Sequence, residues 1–159
     1  MKRLAGVTIL LLISACGSAV TEQDLVPVVA PIVQSQDLLE NFDNQVSAGL
    51  IYGDMLSEWP AVSARVMGLI DDIADDIDAV VDLPPVDQEE LLAYGMGVAE
   101  AHDRWAATVQ NVADYLRDDG TESAIASSYG LAGVSMANLD ELRTAAETPG
   151  AALSTTTAS

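Results

Sequence analysis

Three groups of side chains in this sequence have types and spacing that could do chemistry. His102 is the single histidine. It falls on an apolar run between Val98 and Trp105. There an imidazole either bonds a hydroxyl or carbonyl of the core or acts as a ligand or proton carrier. Asp71, Asp75, Asp78 and Asp82 set carboxylates along one helical ridge, with Asp72 and Asp76 beside them. Such a ridge attracts hard cations but lacks the oxygen-rich loop and glycine of an EF-hand. Its first reading is a solvated face, and weak divalent-ion association is the second. Cys16 is the single cysteine. It cannot close an internal disulfide, and a free thiol in an oxidising compartment is a liability.

Other catalytic and cofactor patterns are missing. There is no Gly-x-Ser-x-Gly, no phosphate-binding glycine loop and no His-Glu-x-x-His. His102 has no evident serine in the sequence around it. A diiron bundle needs Glu-x-x-His pairs on two helices, but Ala99 stands where the glutamate would be and there is no second histidine. Haem held by His102 and Met55, Met67 or Met136 is conceivable, without a Cys-x-x-Cys-His for covalent attachment. A small hydrophobic ligand beside His102 and Trp105 is the related idea, because Gly49, Gly53, Gly95, Gly97, Gly130 and Gly133 fall within expected helices. Each glycine there costs about 1 kcal/mol against alanine. Close helix approach explains them most simply, and an internal pocket is the alternative.

The N-terminus reads MKRLAGVTILLLISAC. Lys2 and Arg3 precede an apolar run from Leu4 to Ile13, then Ser14, Ala15 and Cys16. This is the layout of a secretory signal, and the run is far short of the roughly 20 residues that span a bilayer. Its ending, Ile13-Ser14-Ala15-Cys16, resembles the lipobox of bacterial lipoproteins. That resemblance covers the leader alone. It implies a diacylglyceryl lipid on the Cys16 thiol, cleavage just before Cys16 and acylation of the new amino terminus. Two acyl chains anchor stably where one is marginal. An ordinary signal with an incidental cysteine, or an intermolecular disulfide, is the alternative. The implied location is the cell envelope, on the outer face of the cytoplasmic membrane or on an outer membrane, according to the organism.

Charge narrows the partners. The chain holds 6 basic and 25 acidic residues. Loss of the leader leaves Arg65, Arg104, Arg117 and Arg143 against the same 25 acids, a net charge of about −21 with no lysine. Such a body repels nucleic-acid phosphates and anionic lipid surfaces. Solubility by like-charge repulsion is the plain reading. A basic protein or cationic ligand is the partner it would fit.

The elements that must position these residues are helices. Half the residues are hydrophobic and only 4% aromatic, so the core is aliphatic and Ala-rich. Four helical patterns are expected. The first runs over 31–57, with Leu39, Phe42, Val46, Gly49, Gly53 and Leu56 as its seam. The second starts at Pro60 after a turn or kink at Trp59. Its stripe is Val62, Val66, Leu69, Ile70, Ile73, Ile77, Val80 and Val81, ended by Leu83-Pro84-Pro85. The third follows an Asp87–Glu90 capping box and carries Leu91, Gly95, Val98, His102, Trp105, Val109, Val112 and Leu116. The turn Asp118-Asp119-Gly120 and a second capping pair, Asp119 and Glu122, lead to a fourth helix over 121–147. Its buried side is Ile125, Tyr129, Ala132, Met136, Leu139 and Leu142.

The expected fold is an all-α, up-down antiparallel four-helix bundle over 31–147. A signal peptide (1–15), a lipidated tether (16–30) broken by Pro27 and Pro31, and a disordered tail (148–159) complete the chain. The expected function is a non-enzymatic binding or structural accessory. A bundle holding a hydrophobic ligand, haem or a metal ion through His102 is the alternative.

Overall fold

The computed structural model describes residues 22–79 and 85–147. The expected leader, Cys16, Asp82 and the tail lie outside the described residues, as do the side chains of Asp75 and Asp78. Five helices follow in order: α1 (Glu22–Ser47), α2 (Tyr52–Ala79), α3 (Pro85–Leu116), α4 (Glu122–Ala137) and α5 (Leu139–Glu147). No strand occurs among the described residues. No helix among them is long and apolar enough to cross a membrane.

The fold is an all-α bundle in which α4 and α5 together make the fourth column. Cross-helix pairs fix the directions. Tyr52 meets Tyr115, and Ser63 meets His102, so α2 and α3 run antiparallel. Trp105 meets Tyr129 while Gly97 lies against Leu142, so the fourth column runs antiparallel to α3. Gln36 bonds Asp140 and closes the ring between α1 and α5. Asn138 separates α4 from α5 yet keeps a right-handed conformation (φ −84, ψ −15), so the chain does not reverse there.

The expected seams of the third and fourth columns are present. Leu91, Val98, His102, Trp105, Val109 and Val112 are buried, as are Ile125, Ala132 and Leu139. Leu116 departs from the expectation and is exposed. Tyr94, which the stripe omitted, is fully buried. Gly97 has the role expected of a close approach. A Cβ there would stand 2.5 Å from Leu142 Cδ1 and 3.4 Å from Leu139 Cδ2. Gly53, Gly130 and Gly133 have no such neighbour within 4 Å.

Three boundaries correct the sequence reading. First, the chain turns at Gly49 and not at Trp59-Pro60. Gly49 has φ +109; its N–H bonds Val46 O, and the Leu50 N–H bonds Gln45 O. That is a Schellman stop, which a glycine at the left-handed position permits. α2 then runs through Pro60. Second, α1 begins at Glu22 and passes through Pro27 and Pro31, so residues 22–30 are helix rather than tether. Proline costs a helix about 3 kcal/mol, and burial of Val28, Val29 and Ile32 against the bundle opposes that cost. Third, the caps differ. Asp87 lies inside α3, which starts at Pro85, a residue suited to the first helical position. Thr121, not Asp119, caps α4. It is extended (φ −131, ψ 150), and its Oγ1 accepts from the Ala124 N–H at 3.2 Å.

Candidate functional site

His102 sits midway along α3, 6% exposed. Its Nε2 lies 2.8 Å from Ser63 Oγ on α2, and its Nδ1 lies 3.3 Å from Asp103 Oδ1. With the proton on Nδ1 facing the carboxylate, Nε2 accepts from the serine hydroxyl. The ring stacks on Trp59, with centroids 5.3 Å apart and planes 26° from parallel. The serine that sequence reasoning did not find is therefore Ser63, thirty-nine positions away. Only the register between α2 and α3 brings the two together.

The order Ser63, His102, Asp103 is that of a nucleophile relay, but its surroundings oppose that use. Ser63 lies in the interior of α2, where backbone N–H groups serve carbonyls four residues back and are not free to hold an oxyanion. The Asp103 side chain is 81% exposed, so water competes for it. The arrangement pins α2 to α3 through a satisfied imidazole. Both ring nitrogens have protein partners.

Trp105 is fully buried between Phe42 and Tyr129, edge-on to each with centroids 5.2 Å apart. It is a core anchor, and its Nε1 has no hydrogen-bond partner. Asp71 and Asp72 are exposed, as a solvated ridge requires. Among the described residues no group of three or more His, Cys, Asp or Glu side chains is placed to hold a metal ion.

A second polar cluster joins α1, α3 and α5. The buried Tyr94 hydroxyl donates a hydrogen bond to Gln36 Oε1. Gln36 Nε2 donates to Glu40 Oε1 at 2.5 Å and to Asp140 Oδ1 at 3.0 Å. Burial holds the Tyr94 hydroxyl well above the ordinary tyrosine range, reinforced by Glu147, Asp37 and Glu40 and opposed by Arg143. Beside this cluster lies a cleft of about 370 Å³ lined by Glu40, Asp43, Asn44, Met136, Ala137 and Asp140. Burial, then Glu40, raises the Asp43 carboxyl above its ordinary value. The cleft touches neither His102 nor Trp105.

Three arginines pair with carboxylates close by in the chain. Arg104 pairs with Glu100, Arg117 with Asp114 and Arg143 with Glu147. Asp37, Asp54, Asp71, Asp72, Asp118 and Asp119 all face solvent. Comparison with known protein families, with curated proteins and with solved structures finds no match.

Proposed function

We propose that this chain is a lipid-anchored, acidic helical module of the cell envelope that works by binding a cationic partner rather than by catalysis. The carrying observation is the surface just described. Three of the four arginines outside the leader answer carboxylates three or four residues away, while Asp37, Asp54, Asp71, Asp72, Asp118 and Asp119 face solvent. A body near −21 gains little from an anionic bilayer. In this reading the lipid on Cys16 is its attachment, and the helices carry the binding surface. The imidazole of His102, held by Ser63 and Asp103, belongs to the scaffold.

The anchor is tested by metabolic labelling with a radioactive fatty acid in a bacterial host, followed by fractionation. The full chain is expected to take up label and to stay with the envelope through a high-salt wash, because two acyl chains hold it independently of charge. Cys16→Ser should lose the label and leave the membrane fraction. Labelling that survives Cys16→Ser would overturn the anchor.

A further inference from the structure

One end of the bundle exposes apolar side chains. Ile51 is 66% exposed and Leu116 52% exposed, with Tyr52 also exposed. Tyr52 and Tyr115 meet edge to face, centroids 6.1 Å apart, and so join the α1–α2 connection to the end of α3. Ile51 and Leu116 flank that pair in the chain. The rim is acidic. Asp54, Asp114, Asp118 and Asp119 lie within three residues of the patch, and Glu122 accepts from the Tyr115 hydroxyl at 3.1 Å. Arg117 is the one cation there, and it is paired to Asp114.

Ile51 is also a poor local choice. It immediately precedes α2, and its carbonyl accepts from the Met55 N–H at 3.1 Å, so it stands at the helix cap. Serine, threonine, aspartate and asparagine suit that place, and isoleucine is among the worst. A residue that breaks a local rule with no compensating burial marks function more often than folding. Asp118 takes the left-handed position (φ 65) of the Schellman stop that ends α3.

We propose that this tip is a docking surface for a cationic amphipathic segment of another protein, one that presents apolar side chains flanked by lysine or arginine. The acidic rim selects the occupant. It repels a second copy of this chain and an anionic bilayer alike, and it attracts a basic segment. The tip also lies at the far end of α1 from Glu22. That helix has 26 residues, about 39 Å at 1.5 Å each. A chain hung from Cys16 would hold the patch away from lipid.

The proposal rests on the cationic-partner reading, and one titration separates the two. The probe is a fluorescein-labelled 18-residue leucine–lysine peptide, added to the full chain carrying Cys16→Ser and followed by anisotropy. A lysine–serine peptide of equal charge is the comparator. The leucine–lysine peptide is expected to bind at least tenfold tighter than the comparator. Ile51→Ser with Leu116→Ser should weaken it at least tenfold, while Met96→Ser, on an exposed site of α3, leaves it unchanged. Ile51→Ser should melt no lower than the parent, because serine suits the cap. Tight binding that tip and Met96 substitutions affect equally would overturn the tip and spare the cationic partner. No binding of either peptide would overturn both. A dimer in sedimentation that Ile51→Ser dissolves would replace this occupant with a second copy.

Discussion

Trp105→Ala is expected to destabilise the fold by about 3–5 kcal/mol, the usual cost of emptying a large aromatic site. Trp105 is the largest fully buried side chain, and it touches Phe42 from α1 and Tyr129 from α4. Aromatics make up only 4% of the chain, so small neighbours cannot easily fill the space. A domain of this size is stable by only about 5–15 kcal/mol, so the loss is a large share. Trp105→Phe should behave differently. It keeps most of the packing and removes the Nε1 donor that has no partner. An unsatisfied buried donor costs about 1–3 kcal/mol, which offsets much of the lost volume. The variant should stay within about 1.5 kcal/mol of the parent, as volume-tolerant swaps do. Urea titration at a constant slope distinguishes the two. Equal losses for alanine and phenylalanine would show that the indole nitrogen is not a liability.

The second large effect concerns Gln36. Gln36→Ala should cost about 2–3 kcal/mol, because it strands the Tyr94 hydroxyl and removes the donor shared by Glu40 and Asp140. Tyr94→Phe alone should cost less, since it leaves one amide oxygen unpaired. The double variant Gln36→Leu with Tyr94→Phe removes both polar ends. Its cost should fall below the sum of the single losses, as a double-mutant cycle reads directly. Additive losses would mean that the two groups do not act together. Two tyrosines, Tyr94 and Tyr129, shape alkaline stability. Burial raises the folded value of Tyr94, and Tyr129 is pushed up to about 12, also chiefly by burial. Above the ordinary value near 10, the unfolded chain releases protons that the folded chain still holds. The stability these tyrosines contribute is complete below about pH 10 and is lost as pH rises beyond it. Tyr94→Phe should flatten part of that decline.

Much of the bundle was legible because helix α3 and the fourth column keep their apolar residues in step. Val98, His102, Trp105, Val109 and Val112 follow one period, and that period survives into the packed structure. The first two helices were less legible for a specific reason. Gly49, Gly53 and Leu56 continue the α1 seam by spacing alone, so the Schellman stop at Gly49 was hidden inside an unbroken pattern. Pro60 then looked like the natural break, as Pro27 and Pro31 looked like the end of a tether. Tertiary burial overrode the local penalty at all three prolines. The contact between Ser63 and His102 was out of reach for another reason. Neither residue carries a signal for the other, and only the angle and register of two packed helices create the pair. Tyr94 was missed because it stands one residue before Gly95, the position the stripe assigned to the seam.

The interruption at Asn138 divides the fourth column into unequal cooperative units. α5 has nine residues and buries Leu139 and Ala146, too little to give it independent stability. Segments with so few buried contacts open locally at lower free energy than the molecule unfolds as a whole. Amide protons of 139–147 should therefore exchange with solvent well before those around Val98 to Val109, with Asn138 as the border; uniform exchange across it would show a single unit. Each such opening would carry Asp140 away from Gln36 and lift one wall of the acidic cleft.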